Sequence, residues 1–181
     1  MAGKRVCVFC ASSMGRDPRY AEAAREVGGL LAASGYGLVY GGGNIGLMGV
    51  VADAVLAAGG EVIGVIPRGL EQKEVAHRGL SQLLVTDGMH ARKQKMYELS
   101  DAFMTLPGGF GTMDELFETL TWAQLGDHQK PVGLLNVAGF YDPLIAMVDH
   151  QVREGVLRKE YRGLLQTDDD AARLLTRLLP R

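Results

Sequence analysis

The sequence predicts an α/β fold in which a parallel sheet carries helices on both faces. Three observations predict it. Short apolar runs alternate with amphipathic stretches along the 181 residues, in a repeated strand-helix order. The runs are nearly continuous in apolar residues, as strands buried on both faces require. Helix-opening signals follow them, Asp17-Pro18 and Asp142-Pro143 being the clearest. Right-handed crossovers lay each helix back over such a sheet, which makes the expected architecture Rossmann-like.

The elements follow in order. Residues 5–10 form a first apolar strand, and Asp17-Pro18 opens a helix over 18–34. A strand at 37–40 runs into a glycine-rich turn and a helix over 46–58. Two further strands, 61–66 and 82–86, precede a helix over 88–99 that Asp87-Gly88 opens. A strand at 102–106 meets a second glycine-rich turn, followed by a helix over 112–125. A strand at 132–136, a helix over 142–154 and a last helix over 171–179 complete the pattern. The acidic run Asp168 to Asp170 reads as the cap of that last helix. There is no internal repeat, linker or low-complexity segment, so one domain over 1–181 is expected, long enough to bury a proper core.

Composition removes several classes. The chain is 47% hydrophobic and 22% charged with a formal net charge of -2, which gives no electrostatic reason to bind nucleic acid or an anionic membrane. The apolar run after Lys4 and Arg5 ends at Ser12 and Ser13, too short for a signal peptide, and no segment reaches membrane-spanning length. Cys7 and Cys10 have the spacing of a redox or zinc pair. On a strand, however, residues three apart point to opposite faces, and no second pair completes a metal site. His77, His90, His128 and His150 show no ligand pattern and are assigned to packing or surface. Met96 and Met104 are assigned to the core. The expectation is a cytoplasmic protein without cofactor or metal.

Ligands of such sheets bind beyond the carboxyl ends of the strands, so the loops there carry the functional argument. Gly41-Gly42-Gly43-Asn44-Ile45-Gly46-Leu47-Met48-Gly49 contains GxGxxG between a strand and a helix. It follows the second strand instead of the first, and Glu61, about twenty residues on, would begin a strand instead of ending one. Dinucleotide binding is therefore disfavoured against phosphate binding or a plain tight turn. Pro107-Gly108-Gly109-Phe110-Gly111-Thr112 repeats the theme. Neither loop ends in the Gly-Lys-Ser/Thr of a triphosphate P-loop, so backbone amides and the Thr112 hydroxyl are expected to hold a monophosphate.

Glu115 follows Thr112 by three residues, which fits a capping box as well as catalysis. Arg92 and Lys93 lie near the start of their helix, where a cation opposes the dipole. An anionic ligand would justify them; a solvated face is the plainer explanation.

Met89-His90-Ala91-Arg92-Lys93, followed by Pro107-Gly108-Gly109-Phe110-Gly111-Thr112-Met113-Asp114-Glu115, resembles the Lonely-guy family of cytokinin-activating nucleoside 5′-monophosphate phosphoribohydrolases. The resemblance runs from Cys10-Ala11-Ser12-Ser13 through residues 41–49 and beyond. It implies hydrolysis of N6-modified AMP to free base and ribose 5-phosphate by a homodimer. Arg92 and Glu115 are its catalytic residues. It also implies substrate contacts at Ser13, Gly42, Gly43, Glu74, Met89, Lys93, Gly108, Gly109, Phe110, Gly111, Thr112, Met113, Asp114 and Thr121. Asp114 stands where plant members carry glutamate. Two rivals stay open: hydrolysis of plain AMP, and a nucleotide or molybdenum-cofactor carrier without turnover. The label lysine decarboxylase, attached to some proteins with this motif, would need a Schiff-base lysine that no local context singles out.

Overall fold

The structure is a computed structural model in which residues 3–70 and 75–180 are described. β1 (Arg5–Phe9), β2 (Gly37–Tyr40), β3 (Val62–Pro67), β4 (Gln82–Thr86), β5 (Ala102–Thr105), β6 (Val132–Leu135) and β7 (Leu165–Asp168) form one seven-stranded sheet in the order β4-β3-β2-β1-β5-β6-β7. Every pairing is parallel. The helices are α1 (Pro18–Ala33), α2 (Gly46–Ala57), α3 (Met89–Glu98), α4 (Phe110–Leu125), α5 (Asp142–Arg153), the short α6 (Lys159–Arg162) and α7 (Ala171–Leu178).

Side chains of the central strands alternate between two cores, which is why their sequences are apolar throughout. Val6 and Val8 of β1 join α1, α2 and α7 through Leu31, Val51 and Leu174. Cys7 and Phe9 point the other way, to Met96 of α3, Leu116 of α4 and Val148 of α5. Both thiols are buried and free, and Cys10 belongs to the first core, on the face opposite Cys7. Met96 and Met104 are buried as expected.

The sequence reading differs from the structure most at four elements. β7 is an addition: its segment Leu-Gln-Thr-Asp buries only Leu165, because an edge strand needs an apolar face on one side alone. A 3-10 turn at Val137–Gly139 and α6 are also additional. Most consequential, α4 begins at Phe110 and not at Thr112. Asp170 caps α7 as expected, accepting from the Arg173 amide.

The sheet order places the site. From β1 the chain adds β2, β3 and β4 on one side, then crosses to lay β5 on the other. The loops leaving β1 and β5 therefore part company above their shared edge, and such a divergence opens a crevice. Among the described residues no helix is long and apolar enough to cross a membrane.

Candidate active site

A cleft of about 240 Å³ occupies that crevice. Its floor is Val8 and Cys10 at the end of β1. The walls are Ala11, Ser12 and Ser13 on one side and Gly109, Phe110, Gly111, Thr112 and Glu115 on the other, with Gly41, Met48, Met89 and Arg92 closing the end toward β2.

The loops lock together through backbone contacts. The Ala11 amide donates to the Pro107 carbonyl at 3.1 Å, joining the loops after β1 and β5. Met48 and Leu47 donate to the Ala11 and Ser13 carbonyls, both at 3.3 Å. Gly46 makes this approach possible: its φ is 60°, and a Cβ there would collide with the backbone of Ser12 and Ser13. The start of α2 thus spends two of its amides on the neighbouring loop. This corrects the expectation that both glycine-rich loops offer their amides to one phosphate.

The start of α4 is different. Its N-cap is Gly109, with no side-chain cap, and the first intrahelical bond runs from the Met113 amide to the Gly109 carbonyl at 3.0 Å. The amides of Phe110, Gly111 and Thr112 come before that bond, and all three residues line the cleft. A helix start of this kind attracts anions through its amides and its dipole. Thr112 is buried and its side chain lies where a Cβ on Gly108 would fall, so residue 108 has room only for glycine.

The same helix boundary removes the capping-box explanation of Glu115. That box needs Thr at the N-cap and Glu at the third helical position. Here Thr112 is third and Glu115 sixth, in the second turn and half-buried at the cleft wall. Burial, and after it the Glu115 charge, pushes the Cys7 and Cys10 thiols up, which places the carboxylate beside the end of β1.

Arg92 is buried at the cleft. Its Nε donates to the Val65 carbonyl at 3.0 Å and its Nη2 to the Gly41 carbonyl at 2.9 Å. These two bonds supply part of the justification that its place near a helix start demands. They also fix the guanidinium, which still lines the cleft. Gly41 is required here, since a Cβ would run into that guanidinium.

Of the residues expected from the sequence, Ser13, Met89, Arg92, Gly109, Phe110, Gly111, Thr112 and Glu115 meet at the cleft. Others lie elsewhere. Gly42 and Gly43 face the segment 75–77, with the His77 amide on the Gly42 carbonyl and Gly43 bridged to Ala76. Gly108 lines an adjoining apolar hollow. Lys93 turns away to Asp114 and Glu118 of α4, at 3.0 Å each. Met113 packs against the second core. Thr121, on the outer side of α4, donates to the Phe117 carbonyl and lines a groove against α5. Glu74 lies outside the described residues.

The sequence reading missed Val8, Cys10, Ala11 and Ser12 as lining residues, whereas Gly41 and Met48 belong to the glycine-rich loop expected there. The signal for most of them was the rule that carboxyl ends of adjacent strands build the site. His77 and His128 are buried in packing roles, bonded at 2.9 Å to Asp53 and to the Thr119 carbonyl. Among the described residues no cluster of three or more His, Cys, Asp and Glu could hold a metal ion.

Residues 48–178 match the model of a protein family described as "Possible lysine decarboxylase". The chain is 48% identical over 175 residues to the cytokinin riboside 5′-monophosphate phosphoribohydrolase LOG of Oryza sativa subsp. japonica, covering 97% of this chain and 72% of the relative. A cytokinin riboside 5′-monophosphate phosphoribohydrolase of Arabidopsis thaliana is 46% identical over 175 residues, covering 97% and 82%. Among solved structures, the molybdenum cofactor carrier protein of Chlamydomonas reinhardtii superposes with a TM-score of 0.72 at 23% identity, over 99% of both chains. The molybdenum cofactor binding protein of Rippkaea orientalis gives 0.69 at 21% identity, over 94% and 92%. At such identity the two carriers speak to the fold alone.

Proposed function

The chain belongs to the Lonely-guy family, whose model carries the lysine decarboxylase description, and from that membership we propose that it is a phosphoribohydrolase of cytokinin riboside 5′-monophosphates. It hydrolyses the N-glycosidic bond of an N6-modified AMP, releasing the free base and ribose 5-phosphate. The observation that carries this reading is the meeting of an uncapped helix start, Glu115 and Arg92 in one cleft. Among the described residues no lysine lines that cleft, so decarboxylation through a Schiff base finds no support from them.

The 5′-phosphate sits on the amides of residues 110–112 and on the Thr112 hydroxyl. The ribose then lies beside Glu115. Breaking its bond to the base builds positive charge on the sugar ring, which a carboxylate stabilises while orienting the attacking water. Arg92, held by the Gly41 and Val65 carbonyls, positions substrate in the same cleft. It does not protonate the base, because a guanidinium does not give up its proton in proteins. Phe110, at 97% exposure, stands at the rim where a base can stack on it.

The assembly in this reading is a homodimer that works in the cytoplasm. Phe117 and Leu125 of α4 are exposed apolar residues four positions either side of Thr121, on a helix face that a second copy would cover. Chromatography of products from N6-isopentenyl-AMP, AMP and the unphosphorylated riboside tests the function. Base release is expected from N6-isopentenyl-AMP above AMP, and not from the riboside. Equal turnover of the riboside would remove the phosphate from the account.

A further inference from the structure

We infer that Lys93 is a positioning residue which, by neutralising Asp114 and Glu118 on α4, keeps the neighbouring Glu115 carboxylate ionised, and that it does not hold the substrate's phosphate. The inference rests on the reaction proposed above and adds a residue that acts through another.

Successive residues of a helix point about 100° apart, so Arg92 and Lys93 cannot face the same way. Arg92 enters the cleft. Lys93 is instead drawn between α3 and α4, its side chain 10% exposed and its ammonium 3.0 Å from both Asp114 Oδ2 and Glu118 Oε1. Burial works against the ammonium, but the bonds to Glu118 and Asp114 outweigh it and raise the Lys93 pKa. Moving it to a phosphate in the cleft would strand Glu118, itself only 23% exposed.

A cavity of about 10 Å³ lies behind Glu115, walled by Phe9, Phe103 and Trp122 and reached by Lys93, Glu115 and Glu118. It is about large enough for one water molecule. Glu115 thus borders the substrate cleft on one side and the Lys93 pair on the other. In surroundings this apolar, charges act strongly on one another. Asp114 and Glu118 flank Glu115 within two turns of α4, and their negative charge, left unneutralised, would act against that of Glu115. Facing Glu115 from other elements are Arg92 and Tyr97 of α3 and the Cys7 and Cys10 thiols of and just beyond β1, both held protonated.

The test is a pH titration of Glu115 by carboxyl-carbon NMR in glutamate-labelled protein, assigned by the resonance missing from Glu115→Gln. It is paired with kcat/KM against pH on N6-isopentenyl-AMP. Lys93→Met should raise both the Glu115 midpoint and the acidic limb by about one unit, with KM changed less than about twofold. Lys93→Arg should keep the midpoint. The triple variant Lys93→Met/Asp114→Asn/Glu118→Gln, which also removes the risk of misfolding from stranded charges, should return the midpoint to the wild-type value or below it, because the carboxylates that Lys93 neutralises are gone with it. An unmoved midpoint in Lys93→Met overturns the inference, as does a KM raised about tenfold with the limb in place. If the wild type releases no base at all, the reaction proposed above falls, and the NMR titration still decides the role of Lys93.

Discussion

At the scale of single residues, Glu115 and Thr112 give up the capping roles that their spacing suggests. Three residues apart, they read as a cap; with α4 starting at Phe110, neither sits where a capping box needs it. Thr112 is instead a buried hydroxyl at the cleft wall, beside amides that await an anion. A hydrogen bond to a charged group contributes about 1.5–3 kcal/mol. Thr112→Val should therefore raise KM for the monophosphate by about tenfold or more, leaving the melting temperature within a few degrees, as steady-state kinetics and a thermal melt would record. An unchanged KM would take the hydroxyl out of the phosphate site. Arg92 was legible as a cation out of place, but its two carbonyl partners were not, because Val65 and Gly41 reach it only through the parallel pairing of β2 and β3.

At the scale of elements, the glycine-rich loops serve different ends although they look alike in sequence. The loop after β2 interlocks with the loop after β1 and makes room for Arg92; the loop after β5 opens onto the cleft. Gly41→Ala should displace the guanidinium, costing about 1–3 kcal/mol in denaturant unfolding and on the order of a hundredfold in kcat/KM. Full activity would show that the Arg92 anchor is dispensable. β7 escaped the sequence reading because three of its four residues are polar, yet it supplies Asp168 to a clamp with Arg173 and Arg177 of α7. The bond from Arg173 holds the Asp168 carboxyl well below its usual range of about 3.9. A depressed folded value stabilises the protein above the unfolded value and loses that contribution as pH falls through the folded one. Melting temperature should accordingly drop between about pH 4 and 2 more steeply in the wild type than in Asp168→Asn. Parallel curves would leave the clamp without a part in acid stability.

At the scale of the whole molecule, the order β4-β3-β2-β1-β5-β6-β7 brings the loop after β1, which carries no charge between Cys10 and Gly15, against a loop nearly a hundred residues later. The alternation of apolar runs and helices made the sheet legible, because buried parallel strands have little freedom in composition. Six of the strands and the chemistry-bearing loops could be read in that way. Strand order could not, since it depends on which side of β1 the crossover to β5 lands, and with it went Cys10 and Ala11 as cleft residues. The direction of Lys93 was equally hidden, as one residue's rotation about α3 separates cleft from core. The central claim is that this crevice breaks a glycosidic bond through Glu115. Single-turnover release of free base and ribose 5-phosphate from N6-isopentenyl-AMP, compared between the wild type and Glu115→Gln, tests it most directly. The account predicts product from the wild type, a fall of at least about a hundredfold in the variant and an unchanged thermal melt; a folded Glu115→Gln protein that keeps its rate would contradict it.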